Sequence, residues 1–178
     1  MQIIIEPNPI LNQVSEPVSP EELPGMRRSA EQMAEVMAAA DGVGLAAIQV
    51  GLPHRLFVVD GNANIEVEEG EPRPEIVPLY FINPEVVRSW GKPEEAKEGC
   101  LSIPGISVPI TRPSRVEIKA LDLDGKPFTI KAKGFLARAL QHEYDHLDGI
   151  TMFERLDPIT RLDALRSYAD AQAEAGAA

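Results

Sequence analysis

The stretch RVEIKALDLDGKPFTIKAKGFLARALQHEYDHLDGI, residues 115–150, changes its period midway. Val116, Ile118 and Ala120 alternate with charged residues, as a half-buried strand requires. Asp124-Gly125 then interrupts the run, a hairpin signal, and extended spacing resumes through KPFTIKAK. After Gly134 the pattern turns helical, over FLARALQHEYDHLDGI. Strand, turn, strand, helix is the unit from which the rest of the chain can be read.

Upstream, LYFINPEVV and ISVPITRP read as further strands, and RLFVVD (55–60) as a fully buried one. Between Arg27 and Ala40, the residues Ala30, Met33, Ala34, Met37 and Ala40 repeat at helical spacing, so this methionine stripe is core packing. A last helix is expected from Ile159 to Ala175, with Pro158 in its first turn. Residues 1–25 hold five prolines and read as a loop-rich start. Helix, many short strands, helix, helix predicts an α+β fold. Mostly antiparallel β-sheets should pack around a central helix carrying HExxH, with a C-terminal helix beyond it. With 178 residues and neither repeat nor linker, one domain over 1–178 is expected.

Apolar residues make up 44% and charged residues 25%, an ordinary balance for a globular protein. The net charge of −11 argues against nucleic-acid binding through bulk charge. No apolar run reaches the roughly 18 residues of a membrane helix. MQIIIEPNPI has the character of neither a secretory signal nor a transit peptide, so a cytoplasmic location is expected. Residues 60–80 carry six acids against Arg73 and read as a solvated loop or hairpin excursion.

The chemistry concentrates in HEYDH. His142 and His146 lie four apart on one helix face and can reach one cation. Glu143, rotated by roughly 100°, can stand beside that cation and take a proton from water. Two of the chain's three histidines are in this motif; His54, in a glycine-rich turn, carries no comparable signal. A working site usually needs a third protein ligand. One protease pattern extends HExxH with a glycine and then a histidine; Gly149 fits, but Met152 stands where the histidine should. Glu154 comes too soon and Glu174 lies in the tail. Cys100, the only cysteine, in EGCLSIPG, is the better candidate, although a lone cysteine is also a small buried hydrophobe. Two imidazoles and a thiolate leave a fourth position open, as catalytic sites require.

GVGLAAIQ (42–49), EGCLS (98–102) and QHEYDH (141–146) together resemble the three signature motifs of the peptide deformylase family, in order and at its approximate spacing. The resemblance runs from about residue 3 to residue 158. It implies removal of the formyl group from the N-terminal N-formylmethionine of new proteins, by attack of metal-bound water on the formyl carbonyl. It implies a metal held by Cys100, His142 and His146. Ferrous iron is the usual ion, and zinc, nickel or cobalt can substitute. Glu143 would be general base and then proton donor. Gln49 and the backbone N–H of Leu101 would stabilise the oxyanion. Gly44, with Val43 and Gly99, would bind the substrate, which pairs with the chain as an added strand. The expected partners are N-formylmethionyl nascent peptides.

Two further residues have open readings. Glu98 either orients a metal-bound histidine or an arginine, or has no such role. Arg138 is a solvated helix charge or a rim of the substrate pocket, with the solvated reading favoured. Two departures from the family stand out. The 60–80 segment is longer and more acidic than expected. The segment from Asp157 to the end carries four acids and two arginines, so ribosome docking by a basic C-terminal helix is doubtful. The competing functions are a zinc endopeptidase, which needs a third ligand other than Cys100, and a non-catalytic binding protein, which needs neither Glu143 nor Gln49.

Overall fold

The computed structural model describes residues 1–65 and 74–176. In chain order the elements are helix α1 (Leu23–Ala39), strands β1 (Gly44–Ala46), β2 (Leu56–Asp60), β3 (Pro78–Cys100), β4 (Ile103–Leu121) and β5 (Pro127–Lys133), then helices α2 (Gly134–Leu147) and α3 (Pro158–Gly176). The five strands form one antiparallel sheet in the order β1-β2-β3-β4-β5. The α+β class expected from the pattern is the one observed.

The apolar run LFVV in β2 is buried on both faces because a helix covers each. Phe57 and Val59 pack with Phe81, Leu140 and Leu147 on the α2 side, whereas Leu56 and Val58 pack with Met33 and Met37 of α1 on the other. A third apolar cluster joins Ile103, Val108 and Ile110 to Phe153 and Tyr168.

Strands that the sequence suggested as separate pieces are continuous. LYFINPEVV and EGC belong to one 23-residue strand, and ISVPITRP and RVEIKAL to its 19-residue partner. Prolines and glycines broke up the pattern, yet they fall where the ladder slips. The register shifts between Trp90 and Pro93, around Gly91 at φ 91°, and Pro93 faces Pro113. EGCLS therefore straddles the turn between these two strands. Cys100 ends β3, Leu101 and Ser102 make the turn, and Ile103 begins β4 opposite Cys100.

Helix α2 has no cap from its own side chains. Asn64 supplies one from outside: its Oδ1 accepts from Leu136 N (2.9 Å) and its Nδ2 donates to Lys133 O (3.2 Å). At the other end, Gly149 sits at φ 71°, and a Cβ there would lie 2.6 Å from Asn12 O. This glycine stops the helix; its match to the protease pattern has no catalytic meaning. The acidic excursion is described only at its base. Gly61 N donates to Val77 O, and Asn62 Nδ2 to Glu75 O. The reading of its tip falls on residues 66–73, outside the described residues.

Candidate metal centre

Three elements bring the donors together. Helix α2 presents His142 and His146 one turn apart, with ring centroids 4.9 Å apart. The end of β3 brings Cys100 in from the side, its Sγ 3.3 Å from His146 Nε2. One ligand atom from each of Cys100, His142 and His146 lies within 4.8 Å of the others. A soft thiolate and two imidazoles on one side of a cavity form a donor set for a divalent transition metal with an open position. Met152, where the protease pattern wants its histidine, is buried in the apolar cluster with Ile103 and Phe153 instead.

The cage is fixed from behind by charge. His142 Nδ1 meets Glu98 Oε2 at 3.0 Å, which turns Nε2 towards the cage. Glu98 is in turn held in a fork by Arg112, with Nε to Oε1 at 2.6 Å and Nη2 to Oε2 at 2.9 Å. Arg112 Nη1 also donates to Asp145 Oδ2 at 2.8 Å, and Asp145 receives Arg155 as well. All of Glu98, Arg112 and Asp145 are at most 6% exposed. Burial alone would raise the Glu98 carboxyl. Hydrogen bonds from His142 and Arg112, with the arginine's charge, outweigh it and hold the carboxyl at about 2, so Glu98 stays ionised. Burial pushes His146 well down, which keeps the imidazole neutral with a lone pair for a cation. Its Nδ1 has no hydrogen-bond partner among the described residues.

Arg138 corrects the favoured reading. It is 9% exposed and donates to Glu98 Oε1 (2.6 Å), Ile110 O (2.8 Å) and Glu94 O (2.7 Å). A charge so buried must be paired, and Glu98 is the partner. The open question about Glu98 resolves towards the orienting position.

Opposite the ligands, Gln49 is 1% exposed. Its Oε1 accepts from Ala46 N at 2.8 Å, so its Nε2 faces Ser102 Oγ (3.1 Å) and Cys100 Sγ (3.4 Å). Ser102, absent from the sequence-based set, is the residue that fixes this amide. Glu143 lies against the cavity with Oε2 unpaired. Burial pushes its carboxyl up to about 7, against the pull of His142 and Arg112. Gly44 faces it closely: a Cβ on Gly44 would overlap the Glu143 carboxylate, with Cδ 2.7 Å away. The glycine is required by the carboxylate beside it. Gly42 is similarly closed by Leu101 Cδ1 at 2.7 Å. Val43, Gly44, Gly99 and Leu101 all line the same cavity as Gln49, Cys100, His142 and Glu143, of about 410 Å³. His54 is elsewhere, bridged to Glu16.

The family described as polypeptide deformylase matches residues 1–162. A peptide deformylase of Rhizobium meliloti is 41% identical over 175 residues, 98% of this chain and 95% of its own. One from Pelotomaculum thermopropionicum is 51% identical over 132 residues, covering 74% of this chain and 76% of its own. The crystal structure of a Legionella pneumophila peptide deformylase superimposes with a TM-score of 0.82 at 36% identity, covering 98% and 96% of the two chains. That of a Synechococcus elongatus peptide deformylase in complex with actinonin gives 0.81 at 36%, covering 94% and 87%. A family match over residues 1–162, with a relative 41% identical across 98% of the chain, makes this chain a member of the peptide deformylase family.

Proposed function

We propose that this chain removes the formyl group from the N-terminal formylmethionine of newly made proteins, with Cys100, His142 and His146 as metal ligands and Glu143 as the proton carrier. The observation that carries the reading is the buried Cys-His-His cage facing an unpaired buried carboxylate across one cavity. When bound, a divalent ion supplies Lewis-acid polarisation of the carbonyl and a lowered pKa for water. The donor set suits ferrous iron, the proposed ion, and also zinc, nickel and cobalt.

The residues divide the remaining work. Glu143, poised near 7, takes a proton from the attacking water. As the formyl C–N bond breaks, it hands that proton to the leaving amine, so formate and a free N-terminus result. Gln49 Nε2 and the Leu101 backbone N–H donate to the oxygen that gains negative charge, each such donor being worth roughly 3 kcal/mol. Strand β1 is at the edge of the sheet, so a formylated peptide can lie along it as an added strand beside Val43, Gly44 and Gly99. Formylated nascent chains, in the cytoplasm, are the proposed partners. No helix among the described residues is long and apolar enough to cross a membrane. The acidic balance of the last helix gives no electrostatic support for docking on ribosomal RNA.

An anaerobic assay for formate from a formyl-methionyl tripeptide tests the reading, with iron, zinc and nickel loaded in turn. Formate release with iron, abolished together with metal retention in Cys100→Ala, is the expected result. An active, metal-retaining Cys100→Ala variant overturns the ligand set and reopens the endopeptidase reading.

A further inference from the structure

The net charge of −11 argues against binding nucleic acid through bulk charge, but that charge is not spread evenly. Helix α1 covers one face of the sheet around Leu56, Val58 and Ile82, and Leu121 of β4 still packs with that cluster. From Lys119 onward the same face of β3, β4 and β5 is left to solvent. Val116, Ile118, Ile130 and Ala132 turn towards α2, so the residues that alternate with them turn away. The register sets these in rows across the strands: Trp90–Arg115–Lys133, Arg88–Glu117–Lys131 and Glu85–Lys119. Five cations stand there against two acids, the reverse of the balance of the whole chain.

Both acids are already engaged. Glu117 Oε2 accepts from Arg88 Nε at 2.7 Å, and its Oε1 lies 3.8 Å from Lys131 Nζ. Glu85 pairs with Lys119 at 2.8 Å. The row of Arg115 and Lys133, both exposed, holds no acid. It holds instead the chain's single tryptophan, with the Arg88 guanidinium 4.4 Å from its ring centroid. The borders are mixed. Glu95 pairs with Thr111 beyond Pro93 and Pro113, and Asp124 lies between Arg27 and Lys126 at the β4–β5 turn. The acidic excursion begins beside Lys133, to whose carbonyl Asn64 donates. Protection of an edge strand accounts for lysines on β5; it does not account for Arg115 beside Trp90 on the interior strands.

We propose that this face of β3–β5 is a docking surface for single-stranded RNA. Arg115, Lys131 and Lys133 meet phosphates, and the Trp90–Arg88 stack takes a base. Cations beside a planar aromatic suit a strand whose charge and π-faces both repeat. An acidic peptide offers the charge without the bases, and a lipid surface calls for aliphatic anchors that these rows lack. The surface goes beyond the deformylase reading and stands without it. It lies on the side of the sheet away from α2, so an enzyme held on RNA keeps its cavity open to a nascent chain.

The test titrates the zinc-loaded enzyme with a single-stranded RNA of about 12 nucleotides in about 50 mM salt, read by anisotropy of labelled RNA and by the fluorescence of Trp90. RNA should quench Trp90. Raising the salt to about 200 mM should weaken binding roughly twentyfold, the slope for three neutralised phosphates on a single strand. Arg115→Ala and Lys131→Ala should each weaken binding by roughly five- to tenfold at the lower salt and take about 0.7 from that slope. Trp90→Ala should weaken it by roughly fivefold or more with the slope unchanged. Arg166→Ala, on α3, should change neither, and circular dichroism checks that every variant is folded. No binding, salt-independent binding, or equal losses in Arg115→Ala and Arg166→Ala overturn the surface. Polyglutamate or phosphatidylserine vesicles that quench Trp90 as well as RNA does would assign the face to an acidic protein or a lipid surface and overturn RNA as its occupant. Formate release is measured separately, so failure of the deformylase reading leaves this result standing.

Discussion

Helices α2 and α3 have 14 and 19 residues and are both rich in charge, yet they bury it differently. Ten residues of α2 are buried, among them Arg138, Gln141, His142, Glu143, Asp145 and His146; α3 buries only Ala164 and Tyr168. On α3 the charges face water, as with Arg166 and Asp163, 3.6 Å apart and each 69% exposed. On α2 each buried charge must be matched by another element, so Glu98 and Arg112 come in from β3 and β4. Charge turned inward at this cost of desolvation marks where the chemistry is. Charge turned outward on α3 contributes little to stability.

That contrast can be broken first at Glu143. Glu143→Gln keeps the shape and removes the proposed proton carrier. We expect kcat to fall by about 10² to 10⁴-fold with metal content unchanged. Equal losses of metal and activity would show the residue to be structural. Gly44→Ala comes next. Its methyl group overlaps the Glu143 carboxylate. Displacing a catalytic group by about 1 Å can cost roughly 100-fold, so a similar drop in kcat is expected, with α2 still folded by circular dichroism. A fully active Gly44→Ala enzyme would mean that Glu143 has freedom the packing does not show.

The α2 half of this contrast was more legible than the β3–β4 half. HExxH declares its geometry locally, since positions i and i+4 share a face whatever surrounds them. The break at Asp124-Gly125 likewise announced the hairpin before α2. The long β3–β4 pair was fragmented at Gly91, Pro93 and Pro113, because a local pattern cannot distinguish a proline that ends a strand from one at a bulge. The partners of the ligands were harder still. Arg112 and Arg138 look like surface charges in sequence, and only the pairing of distant strands shows both converging on Glu98. Ser102 closes the EGCLS stretch, but nothing in that pattern says that it meets Gln49. What orients Gln49 is a hydrogen bond across 53 residues.

A gentler pair of substitutions compares the helices directly. Asp145→Asn removes one charge from the Arg112–Glu98–His142 chain without changing shape. Groups behind metal ligands typically tune affinity by 10 to 100-fold, so metal affinity, read by competition with a chelator, should weaken by about that factor. Asp163→Asn on α3 should leave metal affinity alone and change stability by no more than about 0.5 kcal/mol. If both behave alike, inward charge on α2 has no special role in holding the cage.

The smallest effect is the most discriminating. Tyr168 is the one polar residue that α3 buries, and its hydroxyl donates to Glu6 O at 2.8 Å. Glu6 N donates to Ser102 O at 2.9 Å, and Ser102 Oγ accepts from Gln49. Tyr168 thus stands three links from the amide proposed to stabilise the oxyanion. If α3 is a passive cover, Tyr168→Phe loses one hydrogen bond, about 1 kcal/mol in denaturant unfolding, and leaves kcat unchanged. The ring stays packed on Phe153, so little else should move. A fall in kcat at constant metal content would instead show that Ser102 transmits the position of the N-terminal segment to Gln49. Inward polarity on α3, sparse as it is, would then belong to the site as well.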